Sequence, residues 1–272
     1  MSTVKDLKDV FASLKNSDTM PVLFVGHGSP MNAIEENEFS TEWAKVGTSL
    51  SRPQAILCIS AHWQTRGTMV TAMDKPPTIH DFGGFPQELF DKQYPAPGSP
   101  EFAKQTKDLV KKTSVGLDNT WGLDHGTWSV LAKMFPKADI PTYQLSLDYT
   151  QPPDYHYELA KELNELRKKG ILILGSGNIV HNLRMVSFDM GGGFDWAIEF
   201  DDKIKKAVEE RDHKSLIGYE QFGSAARLAV PTNEHYLPML YAVALQGKTE
   251  NVSFFNAKNT AGSISMRSMI IS

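Results

Sequence analysis

Four short apolar runs punctuate the chain, at residues 21–25, 54–60, 142–147 and 171–174, each bounded by turn-forming or polar residues. Their length and composition predict strands. Because they are apolar at nearly every position, they predict central strands covered on both faces. Residues 69–73 and 264–271 carry a weaker strand pattern.

Helical spacing fills the gaps. Residues 101–112 follow Ser99 and Pro100, a capping residue and a proline suited to the first helical position. Residues 154–169 place Tyr155, Leu159, Leu163 and Leu166 on one face, and Gly170 fits the position just past the helix. Residues 195–212 set Trp196, Phe200, Ile204 and Ala207 at helical spacing. Residues 238–246 are apolar, with Pro238 in the first turn. Strands alternating with helices predict an α/β three-layer sandwich with a largely parallel central sheet and helices on both faces.

Composition narrows the class. The 272 residues are 41% hydrophobic, enough for a full core, and no repeat or linker divides them, so one catalytic domain over 1–272 is expected. A formal net charge of −4 without long basic runs argues against a nucleic-acid or membrane partner. Cys58 is the single cysteine. It excludes an internal disulfide and a cysteine-rich zinc site, and reads as a small buried hydrophobe in a reducing compartment. The N-terminal 16 residues alternate charge with apolar residues and lack a signal-peptide core. A cytoplasmic protein is expected. The stretch 75–100 is long and rich in proline and glycine. Its aromatics, Phe82, Phe85, Phe90 and Tyr94, predict an ordered, functional loop.

The chemistry lies where strands end. Run 21–25 leads into Gly26-His27-Gly28-Ser29-Pro30. Run 54–60 leads into Ala61-His62. Run 171–174 leads into Gly175-Ser176-Gly177-Asn178, with His181 shortly after. Open α/β sheets bind ligands beyond the carboxyl ends of their strands, so three histidines from distant parts of the chain are expected at one edge. The neighbouring glycines permit tight turns and close backbone approach. Two further candidates are Glu234-His235 and Asp124-His125-Gly126. A lone histidine beside glycine is more often a hydrogen-bonded turn residue than a ligand. Two independent strands delivering His27 and His62 to the same edge shift that balance. His80, His156 and His213 lack such context, and His213 is expected to face solvent.

Imidazoles with one carboxylate suit zinc or ferrous iron and not calcium or magnesium. The H-E-x-x-H signature is absent. The G-x-S-x-G pattern fails around Ser176, where Leu174 holds the first glycine position. The residues by themselves therefore leave both a non-haem Fe(II) oxygenase and a catalytic zinc site open.

Seven segments occur in order: GHGSP (26–30), SAHW (60–63), TIHDFGGFP (78–86), YPAPGSP (94–100), WGLDHGTW (121–128), GSGNIVHN (175–182) and PTNEHYLP (231–238). Together they resemble the class III extradiol ring-cleaving dioxygenases, in particular the DOPA 4,5-dioxygenase-like group, over nearly the whole chain. The resemblance implies a mononuclear metal centre. It carries His27 and His62 over as metal ligands, with His181 either a further ligand or the acid/base. His235 completes the site, with Glu234 as its alternative.

The implied reaction inserts both atoms of O₂ into a catechol such as L-DOPA, by 4,5-cleavage to a semialdehyde that can cyclise. Fe(II) is expected for turnover. Zn(II) is expected in purified protein, since it binds such sites more tightly. A neutral histidine suits removal of the catechol proton; His181 takes that role, and His125 would hydrogen-bond to oxygen or substrate. Asp81 and Phe82, on the loop with paired glycines, are the candidate substrate contacts. The competing readings are a zinc-dependent hydrolase on the same scaffold and a non-catalytic binding protein.

Overall fold

The computed structural model describes Leu14 and residues 19–272. The N-terminal stretch read above for a signal peptide lies, Leu14 apart, outside the described residues. Six strands form the central sheet: β1 (Val22–Gly26), β2 (Ala55–Ser60), β3 (Thr142–Gln144), β4 (Ile171–Gly177), β5 (Val252–Phe255) and β6 (Ser268–Ile271), in the order β3-β2-β4-β1-β6-β5. The first four of that order run parallel, and β6 and β5 add antiparallel at one edge.

Alternation along each strand divides the core in two. Val22, Phe24, Leu57, Ile59, Ile171 and Ile173 join one apolar cluster, while Leu23, Val25, Ile56, Cys58, Leu172 and Leu174 join the other. Successive side chains of a strand point to opposite faces, so a run that is apolar throughout needs cover on both. Six helices bear on that cover: α1 (Glu38–Ser49), α2 (Pro100–Leu109), α3 (His125–Met134), α4 (Pro153–Glu162), α5 (Asp195–Glu209) and α6 (Leu237–Ala244). The first cluster includes Ala103 of α2, Leu159 of α4, Phe200 and Ile204 of α5 and Met239 and Leu240 of α6. The second includes Trp43 and Val46 of α1 and Trp128 and Leu131 of α3. This is the expected three-layer α/β sandwich.

Differences from the sequence expectations are local. The run 142–147 is two short strands, β3 and Leu147–Asp148. Helix 154–169 breaks at Leu163 into α4 and Asn164–Lys168, with Gly170 at φ 74° past its end. Residues 264–271 split into Ile264–Ser265 and β6. Among the six, α1 and α3 escaped the periodicity reading, as did the short helices Gln87–Asp91, His213–Ile217 and Ser224–Ala229. For α1 the signal was in the cap: Asn37 accepts from the Phe39 and Ser40 backbone N–H groups while Ser40 Oγ accepts from Asn37 N, a reciprocal capping pair. Helix α3 is buried at nearly every position and so shows no polar stripe.

Gly175 and Gly177 sit inside β4, not in a turn after it. A Cβ at either would collide with the carbonyl oxygens of Pro238 and His235, which pass directly over the strand. Asn178 N donates to His235 O at 2.8 Å and secures that crossing. Two glycines thus let the His235 segment press onto the end of β4. Among the described residues, no helix is long and apolar enough to cross a membrane.

Candidate metal centre

His27 follows β1 directly, and its backbone N–H continues the ladder to Gly177 O at 3.0 Å. His62 stands two residues past β2. Its backbone N–H donates to Ser60 Oγ at 3.2 Å. His235 arrives over β4. His181 is fixed by its backbone N–H to Ala229 O at 2.9 Å. His125 opens α3, whose N-cap is Asp124. All five rings gather at the carboxyl edge of the parallel strands; the sequence placed His27, His62 and His181 there and named His235 and His125 only as further candidates.

Three imidazoles converge. His27 Nε2 and His62 Nε2 are 3.1 Å apart. Ring centroids are separated by 5.0 Å for His27–His62, 5.3 Å for His27–His235 and 5.0 Å for His62–His235. Imidazole nitrogens bound about 2.1 Å from one ion lie about 3 Å apart, with ring centres about 5 Å apart, when the ligands subtend right to tetrahedral angles. One nitrogen from each of the three lies within 4.8 Å of the others.

The far nitrogen of each ring faces an oxygen. His27 Nδ1 is 3.0 Å from Ser176 Oγ, His235 Nδ1 is 3.0 Å from Glu234 Oε1, and His62 Nδ1 is 3.4 Å from Asp81 Oδ2. Oxygen partners at Nδ1 orient the ring and leave the Nε2 lone pair for a metal. His235 Nε2 is buried without a hydrogen-bond partner, a cost that a bound cation removes. The donor set fits zinc or ferrous iron.

His181 relates to His235 differently. The rings stack face to face, 3.5 Å between centroids at 10°. His181, Glu234 and His235 also bring one ligand atom each within 4.8 Å of one another, so His181 stands either as a further ligand or as an acid/base beside the ion. Glu234 turns to His235 Nδ1 and also accepts from Thr232 Oγ1 at 3.0 Å.

Asp81 ties the open side together. Its Oδ1 accepts from the His125 backbone N–H at 2.9 Å and lies 3.0 Å from His125 Nδ1, close but off the line of a hydrogen bond. Phe82 packs edge-on to His125 at 5.5 Å and joins an aromatic group with His80, Phe85, Phe90 and Trp128. Gly84 has φ 78°, and beyond the adjoining residues a Cβ at Gly83 or Gly84 would meet only open space.

Electrostatics favours neutral rings. Burial lowers His27 and His235 well below the ordinary imidazole value, and the neighbouring histidines add to it. Burial, then His125, brings His62 down to about 3. Burial brings His181 to about 4. Burial works to raise the Asp81 carboxyl, yet its contacts with His125 and His62 hold it below the ordinary carboxylate value. Neutral imidazoles beside an ionised carboxylate are the forms that accept a divalent cation.

Every candidate site residue, His27, His62, Asp81, Phe82, His125, His181, Glu234 and His235, is therefore in one neighbourhood. His80, His156 and His213 are outside the histidine cluster. His213 corrects an expectation: it is half-buried, with Nδ1 2.6 Å from Tyr157 Oη. Cys58 is buried as expected, and burial raises its thiol.

The sequence reading missed the buried polar scaffold beneath the histidines. Asp124 is fully buried, accepts from Ser60 Oγ at 2.7 Å and from Gln144 Nε2 at 2.6 Å, and caps α3 through Thr127 N. Ser176 Oγ reaches both His27 and the Gly126 carbonyl. The available signal was a polar residue inside an apolar run: Ser60, Gln144 and Ser176 each interrupt or end one.

Residues 20–265 match the family described as the catalytic LigB subunit of aromatic ring-opening dioxygenase. A protein of Escherichia coli K12 named 4,5-DOPA dioxygenase extradiol is 45% identical, over 97% of this chain and 98% of its own. One of the same name from Beta vulgaris is 36% identical, over 86% and 89%. The crystal structure of an uncharacterized Escherichia coli K12 protein superposes with a TM-score of 0.80 at 41% identity, covering 93% of this chain and 100% of that one. The chain belongs to the LigB family of aromatic ring-opening dioxygenases, metal-dependent oxygenases that act on a small aromatic substrate with O₂.

Proposed function

We propose that this protein is an Fe(II)-dependent extradiol dioxygenase that cleaves a catechol such as L-DOPA at the 4,5 bond, giving a semialdehyde that can cyclise. The observation that carries the reading is the convergence of His27, His62 and His235, each with an oxygen facing its outer nitrogen. These three would hold the metal through Nε2. Bound there, ferrous iron would supply the redox chemistry that joins a catechol to O₂.

The chain's own residues do the rest. His181, neutral at physiological pH and stacked beside His235, accepts the catechol proton at a ring nitrogen. His125, anchored by Asp81, donates a hydrogen bond to oxygen or substrate. Phe82 walls the substrate side, and Asp81 bounds it while orienting the His62 and His125 rings. Glu234 orients His235. The net charge of −4 and the single buried cysteine support a cytoplasmic enzyme without a nucleic-acid or membrane partner.

The test is oxygen uptake. Protein stripped of metal and reloaded anaerobically with Fe(II) receives L-DOPA and then air, beside a zinc-loaded sample. Oxygen consumption in step with a yellow product, with iron only, is expected. No uptake with L-DOPA or simpler catechols would overturn the reading and favour zinc-dependent hydrolysis or simple binding.

A further inference from the structure

Ser176 is fully buried in β4, paired in register with Val25 of β1 and Ser60 of β2. Its Oγ lies 2.5 Å from the Gly126 carbonyl oxygen and 3.0 Å from His27 Nδ1. A hydroxyl has one proton, and a carbonyl oxygen can only accept. Two oxygens 2.5 Å apart repel unless a proton lies between them. The hydroxyl proton is therefore committed to Gly126. What remains toward His27 is a lone pair, and a lone pair is satisfied only if Nδ1 carries the ring proton. The neutral ring then has its own lone pair on Nε2, the nitrogen that faces His62 and the centre.

The acceptor cannot drift. Gly126 lies against Ser60 and His62 so closely that a Cβ would collide with both side chains. It belongs to α3, whose cap is the buried Asp124 network. One hydroxyl thus connects β4, the first turn of α3 and the loop after β1.

We propose that Ser176 is a positioning residue of the metal centre: held as a donor by the Gly126 carbonyl, its hydroxyl fixes the Nδ1–H tautomer of His27 and so directs the Nε2 lone pair to the ion. The proposal rests on the reading of His27 as a ligand. A merely structural serine would contribute to packing and stability but would leave the tautomer unchanged.

The test uses full-length protein with ¹⁵N-labelled histidine, stripped of metal. Nitrogen shifts and two-bond couplings report which ring nitrogen of His27 carries the proton, in wild type, Ser176→Ala and Ser176→Thr. Zinc affinity is measured on the same samples by competition with a chelator. Wild type is expected as the Nδ1–H form. Ser176→Ala is expected to mix tautomers and lose roughly 10–100-fold in zinc affinity, the range for removing an outer partner of a ligand. Ser176→Thr, which keeps the hydroxyl, is expected to restore both. An Nε2–H ring in the wild type overturns the proposal without reference to any variant. So does a Ser176→Ala protein with unchanged tautomer and affinity. His27→Ala separates the two layers: undiminished zinc binding in that variant overturns the ligand reading and the proposal with it. Lost binding in His27→Ala together with an unaffected Ser176→Ala overturns only the role of Ser176.

Discussion

Two sets of buried histidines in this protein differ in kind. His156, fully buried in α4, has Nδ1 3.0 Å from Tyr241 Oη, and burial brings it to about 4. His181, beside the centre, is brought to the same value by the same cause. A depressed basicity therefore marks burial and not function. The distinguishing feature is company: no second histidine or carboxylate forms a metal-binding group with His156 among the described residues, whereas His27, His62 and His235 share one point. Convergence of imidazole nitrogens, each ring with an oxygen facing its outer nitrogen, sets the candidate site apart.

The largest break of this contrast is His62→Ala. It removes one of three converging nitrogens, so tight zinc binding and oxygen uptake should both disappear, as read by chelator competition and an oxygen electrode. His156→Phe should leave both untouched. Next comes His181→Ala, which should lower kcat by roughly 10²–10⁴-fold, the range for a positioned acid/base. Metal content should remain if His181 serves as the acid/base, and should fall if it is a further ligand.

Asp81→Asn should weaken zinc binding by about 10–100-fold and leave the fold intact by circular dichroism. The smallest effect is on stability. His156→Phe orphans the Tyr241 hydroxyl and should cost about 1–3 kcal/mol in urea unfolding.

Acid sharpens the same comparison. His156 and His181 titrate near 4 and His62 near 3 when folded, against an ordinary value of 6.5. The unfolded chain therefore binds more protons below 6.5, and stability rises with pH across that window. Metal-free protein should be stable above pH 6.5 and lose stability as pH falls toward 4 and below. In His156→Phe, that loss should be shallower by one histidine.

Much of this was legible in the chain. Apolar runs gave the parallel strands because burial on both faces leaves no polar position to blur them. Histidines just past those runs marked the edge where ligands bind, and the motif order carried the family. What the sequence did not expose depends on long-range approach. Nothing local distinguishes His181, stacked on His235, from His27, which points at the centre. Glu234 and His235 are adjacent in the chain, and only the fold turns one carboxylate to orient its neighbour. Gly175 and Gly177 look like a turn, yet they lie within β4 because the backbone carrying His235 crosses there. The role of Ser176 was not legible because its partners Gly126 and His27 lie 50 and 149 positions away along the chain.

The most direct test of the central claim is a crystal structure of the zinc-loaded protein, with the ion located by anomalous scattering. The account predicts one ion about 2.1 Å from Nε2 of His27, His62 and His235, with His181 stacked alongside and Glu234 on His235 Nδ1. An ion held by Glu234 or by His181, or seated away from these three nitrogens, would contradict it.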